Sequence, residues 1–229
     1  MDPTGMKLKP GAALLFDIDG TLTDTDALHM RAFNHVLSPF GHVLNRERYC
    51  RELQGFPNSD IAARFLPGVE PSRQAAIMAE KEAVFRDLAG ETLYPLPGLM
   101  ALLDAADQTG IPMAAVTNAP RVNAEMILSA LGLRKRFRAL VIGDELAHGK
   151  PHPLPYLEGL RALGADPGSS LAFEDSRSGI RAATAAGIAT IGIATSLGHD
   201  DLIATGAVAS VKDFDDRQVR DWMVQRLSV

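Results

Sequence analysis

Four aspartates stand close together near the start of this 229-residue chain, within the stretch AALLFDIDGTLTDTD from Ala12 to Asp26. The apolar run that ends at Phe16 is short and sharply bounded, which predicts a buried strand of a parallel sheet. Asp17 and Asp19 therefore begin where the strand ends, and side chains two apart on an extended chain point to the same side. Carboxylates that close repel each other unless a cation lies between them. We therefore predict a divalent metal at this position.

Gly20 and Thr21 then turn the chain. A glycine lets the backbone approach a bound group while its N–H stays free to donate, which suits a site for metal and phosphate. An ordinary turn after a strand is the alternative for this stretch taken alone. An EF-hand calcium loop does not fit, because counting from Asp17 the glycine is fourth rather than sixth and Leu28 stands at the twelfth position.

Three further segments carry polar groups, and two of them directly follow a predicted strand. They are VTN at 116–118, GKPHP at 149–153 and FED at 173–175. Each has an ordinary interpretation when considered alone. Thr117 and Asp175 could cap helices, and a lone lysine such as Lys150 is usually solvated.

In chain order, FDIDGTLTDT, VTN, GKP and FED resemble the four motifs of the haloacid dehalogenase superfamily of phosphohydrolases. Those motifs are an Asp pair, a Thr or Ser, a Lys followed by Pro and a final acidic pair. The resemblance covers nearly the whole chain, and the order of four pieces is more specific than any one of them. It implies that Asp17 is the nucleophile that forms an aspartyl-phosphate and that Asp19 is the general acid and base.

The resemblance also implies a magnesium site and a phosphate site that share residues. The metal would be held by Asp17, by Asp175, by Glu174 through water and by the backbone carbonyl of Asp19. The phosphoryl oxygens and the turn around them would involve Asp17, Gly20, Thr117, Asn118 and Lys150, with Thr117 and Lys150 completing the catalytic set.

Within the superfamily, the chain looks most like the subfamily of β-phosphoglucomutase and phosphoglycolate phosphatase. Thr25 and His29 stand at positions similar to those that couple closure of a helical cap to the acid and base. An ordinary exposed histidine is the alternative for His29. The segment LQGFPN at 53–58 resembles the cap loop of this subfamily.

Sugar phosphomutases carry a basic residue just before the glycine of that loop and an arginine three residues after it, but here the two positions are Gln54 and Asn58. A mutase must hold a second phosphate, so the loss of both cations favours a phosphatase. Four nearby arginines remain possible substitutes, namely Arg46, Arg48, Arg51 and Arg64.

We therefore expect a Mg²⁺-dependent phosphatase that acts on a small phosphorylated metabolite, either a sugar phosphate or a phosphoglycolate-like acid. A β-phosphoglucomutase-like sugar phosphomutase is the alternative. A non-catalytic binding protein is a third hypothesis, but it would have no reason to retain closely packed carboxylates that repel one another.

The composition of the chain indicates which kinds of partner and which cellular location to expect. A net charge of −5 argues against a nucleic-acid partner, and the basic residues at 134–138 are interpreted as a solvated helix end. Asp17 and Asp19 interrupt the first apolar run too early for a signal peptide or a membrane span. The single cysteine, Cys50, allows no intrachain disulfide and fits a reducing cytoplasm. The oligomeric state is left open between monomer and dimer.

The positions of the predicted elements are those of an α/β protein with a doubly wound parallel sheet and an inserted α-helical cap. Residues 1–22 and 95–229 would form the core and residues 23–94 the cap, with hinges at 22–24 and 94–97. Residues 1–11 carry no pattern and are predicted to be a flexible leader. Strands are predicted at 12–16, 111–116, 139–142, 170–173, 189–193 and 207–211. Helices are predicted at 27–40, 46–54, 58–65, 72–88, 98–108, 121–131, 154–163, 178–186 and 200–204, and at the C-terminus.

Overall fold

A computed structural model describes residues 7–90 and 93–228, in which six strands form one parallel sheet of order β3-β2-β1-β4-β5-β6. The first strand lies in the middle, so the chain winds outward to one side through β2 and β3 and to the other through β4, β5 and β6. In such sheets the ligand crevice lies beyond the carboxyl ends of the strands, where the winding direction changes. The strands are β1 Ala13–Phe16, β2 Met113–Thr117, β3 Ala139–Ile142, β4 Ser170–Glu174, β5 Ala189–Ile193 and β6 Ala209–Val211.

Helices follow the strands in the predicted alternation. Five helices lie between β1 and β2, and the first four of them form the insert. The first predicted helix is shorter than expected, because Pro39 removes a backbone donor and Ser38–Phe40 continue as a 3-10 turn. The helices are α1 Asp26–Leu37, α2 Arg46–Glu52, α3 Asn58–Phe65, α4 Pro71–Ala89, α5 Leu99–Thr109, α6 Arg121–Ala130, α7 Leu154–Leu163, α8 Arg177–Ala185, α9 His199–Thr205 and α10 Arg217–Leu227. Further 3-10 turns at Gly143–Glu145 and Pro167–Ser169 were not predicted.

Both faces of the sheet are covered, and this explains why its strands are continuous apolar runs rather than alternating ones. Phe16 and Phe173, on neighbouring strands, stack with their ring centroids 4.8 Å apart in the larger core on one face. Leu15 and Val116 point into the second core, which also contains Tyr156 of α7. The prediction of an α/β parallel sheet is confirmed.

The helical insert has an apolar cluster of its own. Helices α1 and α4 pack along each other, and the C-terminal part of α4 contributes Phe85 and Ala89 to the core of the sheet. The segments that enter and leave the insert lie side by side, since the Leu96 N–H donates to the Leu22 carbonyl at 3.0 Å. The predicted insertion of a helical cap is confirmed, while the domain limits at 22/23 and 94/95 stay predictions. The cluster comprises Phe33, Val36, Leu37, Leu44, Tyr49, Leu53, Ile61, Ala62, Phe65, Leu66, Ile77 and Met78.

The prediction of a flexible leader over residues 1–11 is wrong for Leu8 and Lys9; residues 1–6 lie outside the described part of the chain. Leu8 forms an antiparallel bridge with Ser228, and the Lys9 N–H donates to the Leu227 carbonyl at 2.7 Å. The last carbonyls of a helix lack partners within it. A neighbouring segment can satisfy them without any periodic pattern in its sequence.

The basic residues at 134–138 follow α6 rather than forming its end, so their interpretation as a helix end is wrong. Arg134 contacts Glu125 on α6, and Arg136 contacts Asp104 on α5. These pairs neutralise much of the local charge. No helix in the described ranges is long and apolar enough to cross a membrane.

Candidate active site

The carboxyl ends of β1, β2 and β4 meet at one edge of the sheet, under a cavity that α1–α4 cover from the other side. Most of the residues predicted for the site come together here. Those that line the cavity are Asp17, Asp19, His29, Gln54, Asn58, Thr117, Asn118, Lys150 and Asp175. The remaining three, Gly20, Thr25 and Glu174, lie directly against members of this group.

Lys150 is the cation that pairs with the buried acids on the sheet side of the cavity. Its Nζ lies 2.6 Å from Asp17 Oδ1 and 2.5 Å from Glu174 Oε1, and it donates to the Val116 carbonyl at 2.8 Å. The side chain is almost fully buried. Burial favours the neutral amine, but the two carboxylates outweigh it and raise the pKa of Lys150 above its usual value. Lys150 is therefore a charged, fully paired cation rather than the solvated surface lysine of the alternative interpretation.

Glu174 is held by more partners than the sequence indicated. The Tyr156 hydroxyl donates to Glu174 Oε1 at 2.6 Å, and the Ser176 hydroxyl lies 3.2 Å from Oε2. A Cβ on Gly179 would lie 2.0 Å from the same carboxylate, so only glycine fits at that position of α8. Tyr156 was missed because a tyrosine on the apolar face of α7 looks like an ordinary core residue.

Three carboxylates can hold a metal ion here. Asp17, Glu174 and Asp175 are buried and offer oxygen atoms that all lie within 4.8 Å of one another. Burial raises the pKa of Asp17 from 3.8 to about 8, although Lys150 opposes the shift. Burial and then the charge of Asp17 raise the pKa of Asp175 as well. Lys150 alone leaves excess negative charge, so an oxygen-ligated hard cation such as Mg²⁺ fits the residues present.

The Asp19 side chain turns away from that cluster towards the helical insert. The Thr25 hydroxyl donates to Asp19 Oδ1 at 2.8 Å, and His29 Nε2 lies 3.1 Å from the same oxygen. Burial alone would raise the pKa of Asp19, but the hydrogen bonds from His29 and Thr25 outweigh it and lower the pKa below its usual value. Asp17 and Asp19 therefore share a cavity, but their pKa values are shifted in opposite directions, upward for Asp17 and downward for Asp19.

His29 is not the exposed histidine of the alternative interpretation. It is buried and stacks on Phe85 with the ring centroids 3.9 Å apart. Lys81 Nζ lies 3.0 Å from His29 Nδ1. An ammonium group can only donate, so Nδ1 is the acceptor and Nε2 carries the proton that is donated to Asp19. Lys81 was missed because a lysine inside a long helix usually faces solvent.

The cap loop touches the metal-ligand candidates directly. Gln54 Nε2 donates to Asp175 Oδ2 at 2.6 Å, and the Ser196 hydroxyl lies 3.1 Å from the same oxygen. The Gly55 carbonyl accepts from the Ser178 hydroxyl at 2.8 Å. The helical insert is thus closed over the sheet. Ser196, which also contacts Asp26, lies beyond the end of β5, and nothing in its spacing from the motifs marked it.

Thr117 and Asn118 differ in how many of their side-chain hydrogen-bonding groups remain available to a ligand. The Thr117 Oγ1 accepts from the Ala119 N–H at 2.9 Å, which leaves its own proton available to a ligand. The Asn118 side chain is occupied by protein partners, because it bonds both the N–H and the carbonyl of Lys150 at 3.0 Å. The contacts of Asn118 therefore hold the Lys150 backbone near the carboxyl end of β2. A direct contact of the Asn118 side chain with phosphate stays a prediction.

The four arginines near the cap loop, all of which the structure describes, do not line the cavity. Arg46 donates to the Thr195 carbonyl at 2.6 Å, and Arg48, Arg51 and Arg64 gather around Glu52. The hypothesis that they replace the missing cations of a mutase is therefore wrong. The reason is that a closer carboxylate, Glu52, takes three of them.

Replacing Gly20 by Ala is expected to damage both folding and activity. Gly20 has φ +78°, and a Cβ there would lie 2.1 Å from Asp175 Oδ2. The left-handed conformation costs a non-glycine residue about 1 kcal/mol, and displacement of the carboxylate by about 1 Å can reduce kcat by about 100-fold. Gly132→Ala is the matched control, because Gly132 has φ +69° with nothing within 4 Å of its added Cβ.

Urea unfolding and phosphate release should be measured for both glycine variants. Gly132→Ala should lose only the strain energy and keep full activity. Equal activity of the two variants would contradict the close approach of Gly20 to Asp175.

Comparison with known proteins agrees with this geometry. Residues 14–193 match the family model described as haloacid dehalogenase-like hydrolase. The chain is 33% identical over 207 residues to the phosphorylated carbohydrates phosphatase of Thermotoga maritima, which covers 87% of this chain and 94% of that protein. It is 32% identical to the fructose-1-phosphate phosphatase YqaB of Escherichia coli, over 80% of this chain and 96% of that protein.

A solved structure is similar along most of its length as well. It is that of a CbbY variant from Rhodobacter sphaeroides in complex with xylulose-(1,5)bisphosphate. The TM-score is 0.78 at 32% identity, over 90% of this chain and 95% of that one. The predicted enzyme class, a phosphoric monoester hydrolase, is confirmed. The chain belongs to the haloacid dehalogenase-like hydrolase family.

Proposed function

We propose that this protein is a Mg²⁺-dependent phosphatase that hydrolyses a small phosphorylated metabolite through an aspartyl-phosphate on Asp17. The observation that carries the proposal is the pair Asp17 and Asp19 in one cavity, the first beside Lys150 and two further acids and the second bonded to Thr25 and His29. The two carboxylates thus have the separate surroundings that a nucleophile and a proton carrier need.

Asp17, Asp175 and Glu174 would hold the metal. Mg²⁺ supplies neutralisation of the phosphoryl charge when it is bound. Lys150 and the free proton of the Thr117 hydroxyl would bind further phosphoryl oxygens, which is the main task in catalysis of phosphoryl transfer.

In the first step, a carboxylate oxygen of Asp17 attacks phosphorus and the bond to the leaving alcohol breaks. The protonated carboxyl of Asp19 gives its proton to the alcohol oxygen. In the second step, Asp19 takes a proton from water, the water oxygen attacks phosphorus and the bond to Asp17 breaks. Inorganic phosphate leaves and Asp17 is regenerated. The lowered pKa of Asp19 favours the ionised carboxylate, which accepts the proton in the second step, so Asp19 must take up a proton from solvent before the first step.

The substrate is expected to be a sugar phosphate or a phosphoglycolate-like acid. Two relatives, a phosphatase of phosphorylated carbohydrates and a phosphatase of fructose 1-phosphate, support the first class. A phosphomutase is disfavoured, because Gln54 and Asn58 are uncharged and the nearby arginines are bound elsewhere. The predicted cytoplasmic location and the choice between monomer and dimer stay predictions.

Release of inorganic phosphate from a panel of sugar monophosphates, phosphoglycolate and p-nitrophenyl phosphate tests the proposal. We expect turnover that requires Mg²⁺ and stops in EDTA. Phosphorus NMR of β-glucose 1-phosphate with a trace of bisphosphate activator separates the alternative. Formation of the 6-phosphate without free phosphate would identify a mutase, and the absence of both turnover and Mg²⁺-dependent stabilisation would favour a binding protein.

A further inference from the structure

Resting on the proposed phosphatase function, we propose that Glu82 makes the site selective for phosphate esters whose remote end carries hydroxyl groups rather than a second negative charge. Glu82 lies on α4 and lines the cavity beside Asn58 and Lys81, both of which it contacts, and none of its hydrogen bonds reaches Asp17, Glu174 or Asp175. It stands outside the four motifs.

Glu82 is fixed by three donors. Its Oε1 accepts from Lys81 Nζ at 2.8 Å and from Asn58 Nδ2 at 2.7 Å, and its Oε2 accepts from Asn123 Nδ2 at 2.6 Å. Asn123 lies on α6 and is itself oriented by Arg86, which donates to its side-chain oxygen at 2.9 Å. The carboxylate is thus held at the junction between the insert and the sheet. Burial opposes its ionisation, but Lys81, the nearby His29 and the hydrogen bond from Asn58 lower the pKa of Glu82 below its usual value.

The cations that face the cavity are already occupied. Lys81 is paired with Glu82, and Lys150 is paired with Asp17 and Glu174. His29 is bonded on both ring nitrogens, since Nδ1 lies 3.0 Å from Lys81 Nζ and Nε2 lies 3.1 Å from Asp19 Oδ1. Among the described residues that line the cavity there is no arginine. A second phosphate or a carboxylate would find no unpaired positive charge there and would meet the charge of Glu82, which penalises it.

Uncharged polar groups of a ligand, in contrast, would find hydrogen-bond partners beside Glu82. Gln54 and Asn58 present amides to the cavity, and the Glu82 oxygens can accept from a hydroxyl. A separate recess lined by Arg51, Arg177 and Arg181 shares only Gln54 and Phe56 with the cavity. Arg51 is paired with Glu52, and Arg177 lies 3.0 Å from Asp201. The geometry therefore fits a polyol monophosphate.

Two substrates that differ only at the remote end test this selectivity. Glycerol 3-phosphate ends in a hydroxymethyl group and 3-phosphoglycerate ends in a carboxylate, so the ratio of their kcat/KM values isolates the charge. Fructose 1-phosphate against fructose 1,6-bisphosphate is a second pair. If turnover is too slow, the same compounds are compared as competitive inhibitors of p-nitrophenyl phosphate hydrolysis. We expect the uncharged end to be favoured by about 100-fold, and a preference below about tenfold would overturn the inference.

Glu82→Gln keeps the size of the side chain and removes its charge. The Lys81 ammonium is then unpaired, so the preference should fall by at least about tenfold, chiefly through a lower KM for 3-phosphoglycerate. Because an unpaired buried lysine can unfold the protein, Asn58→Arg is the second variant. It adds a cation at the same end, and it should shift the ratio in the same direction.

Glu80→Gln is the matched control, since Glu80 is exposed on the same helix and does not line the cavity. An unchanged substrate ratio in folded Glu82→Gln, or a ratio that shifts equally in Glu80→Gln, would overturn the role of Glu82. Hydrolysis of p-nitrophenyl phosphate distinguishes a failure of the proposed phosphatase function from a failure of the proposed selectivity. Its absence would overturn the proposed function itself, whereas hydrolysis without preference for the uncharged end would overturn the selectivity alone.

Discussion

Replacing Asp17 by Asn is expected to lower kcat for phosphate release by about 10⁴-fold or more, because the proposed nucleophile is lost while the shape of its side chain is kept. The amide oxygen is uncharged and cannot form the phosphorylated intermediate. The fold should survive. In the metal-free protein burial disfavours the charged form of Asp17 and raises its pKa to about 8, so an uncharged amide of the same shape is tolerated there, and Lys150 keeps Glu174 as its partner.

The matched control is Asp87→Asn, which makes the same chemical change at an exposed position of α4 outside the cavity. Single-turnover and steady-state release of phosphate should be measured for both variants with saturating Mg²⁺, and urea unfolding should be compared. The control should retain full activity. Turnover by Asp17→Asn within about tenfold of the unaltered enzyme would contradict a covalent mechanism on this residue.

Replacing Lys150 by Met is expected to destabilise the protein as well as abolish catalysis. The ammonium lies between Asp17 and Glu174, and its loss leaves two buried carboxylates beside each other with no cation. Breaking one partner out of a buried ion pair typically costs about 3 to 5 kcal/mol. Methionine keeps the apolar stem and is only one atom shorter, so packing loss adds little.

The free energy of unfolding should be measured in urea, first in EDTA and then with Mg²⁺. A metal ion bound by the same carboxylates would restore part of the lost stability, so the difference between unaltered and variant protein should shrink when Mg²⁺ is added. Lys135→Met, at an exposed lysine, is the control and should change stability little. A loss of less than about 1 kcal/mol in EDTA would contradict the central role of Lys150.

The motif residues could be located from the sequence because the end of a buried strand is marked by the end of a short apolar run. Asp17, Thr117 and Glu174 each stand at the end of an apolar run, and parallel strands bring their carboxyl ends to one edge. The observed strand order puts β1 between β2 and β4, so these three ends are neighbours. Once the strand order is known, the closeness of Asp17 and Glu174 follows from it and does not depend on side-chain packing.

The hydrogen-bond and ion-pair partners of the motif residues could not be predicted from the sequence in the same way. Tyr156 looks like core, and Lys81 and Glu82 look like two surface charges of a long helix. Nothing within a few residues of them shows that α4 turns this pair inward against His29 and Asn123. The four arginines near Gln54 show the opposite error, because nearness in sequence indicated a role in the cavity that Glu52 prevents.

The sequence by itself determined the order of strands and helices, the helical insert and the identity of the acids at the strand ends, because apolar periodicity and turn residues act over short distances. Only the tertiary structure decided which buried charges are paired, which way Asp19 and His29 face, and which groups line the remote end of the cavity. Those choices depend on contacts between residues far apart in the chain, such as Lys150 with Asp17 and Glu82 with Asn123. Burial makes such contacts strong, and it is the property that local sequence reveals least for a charged side chain.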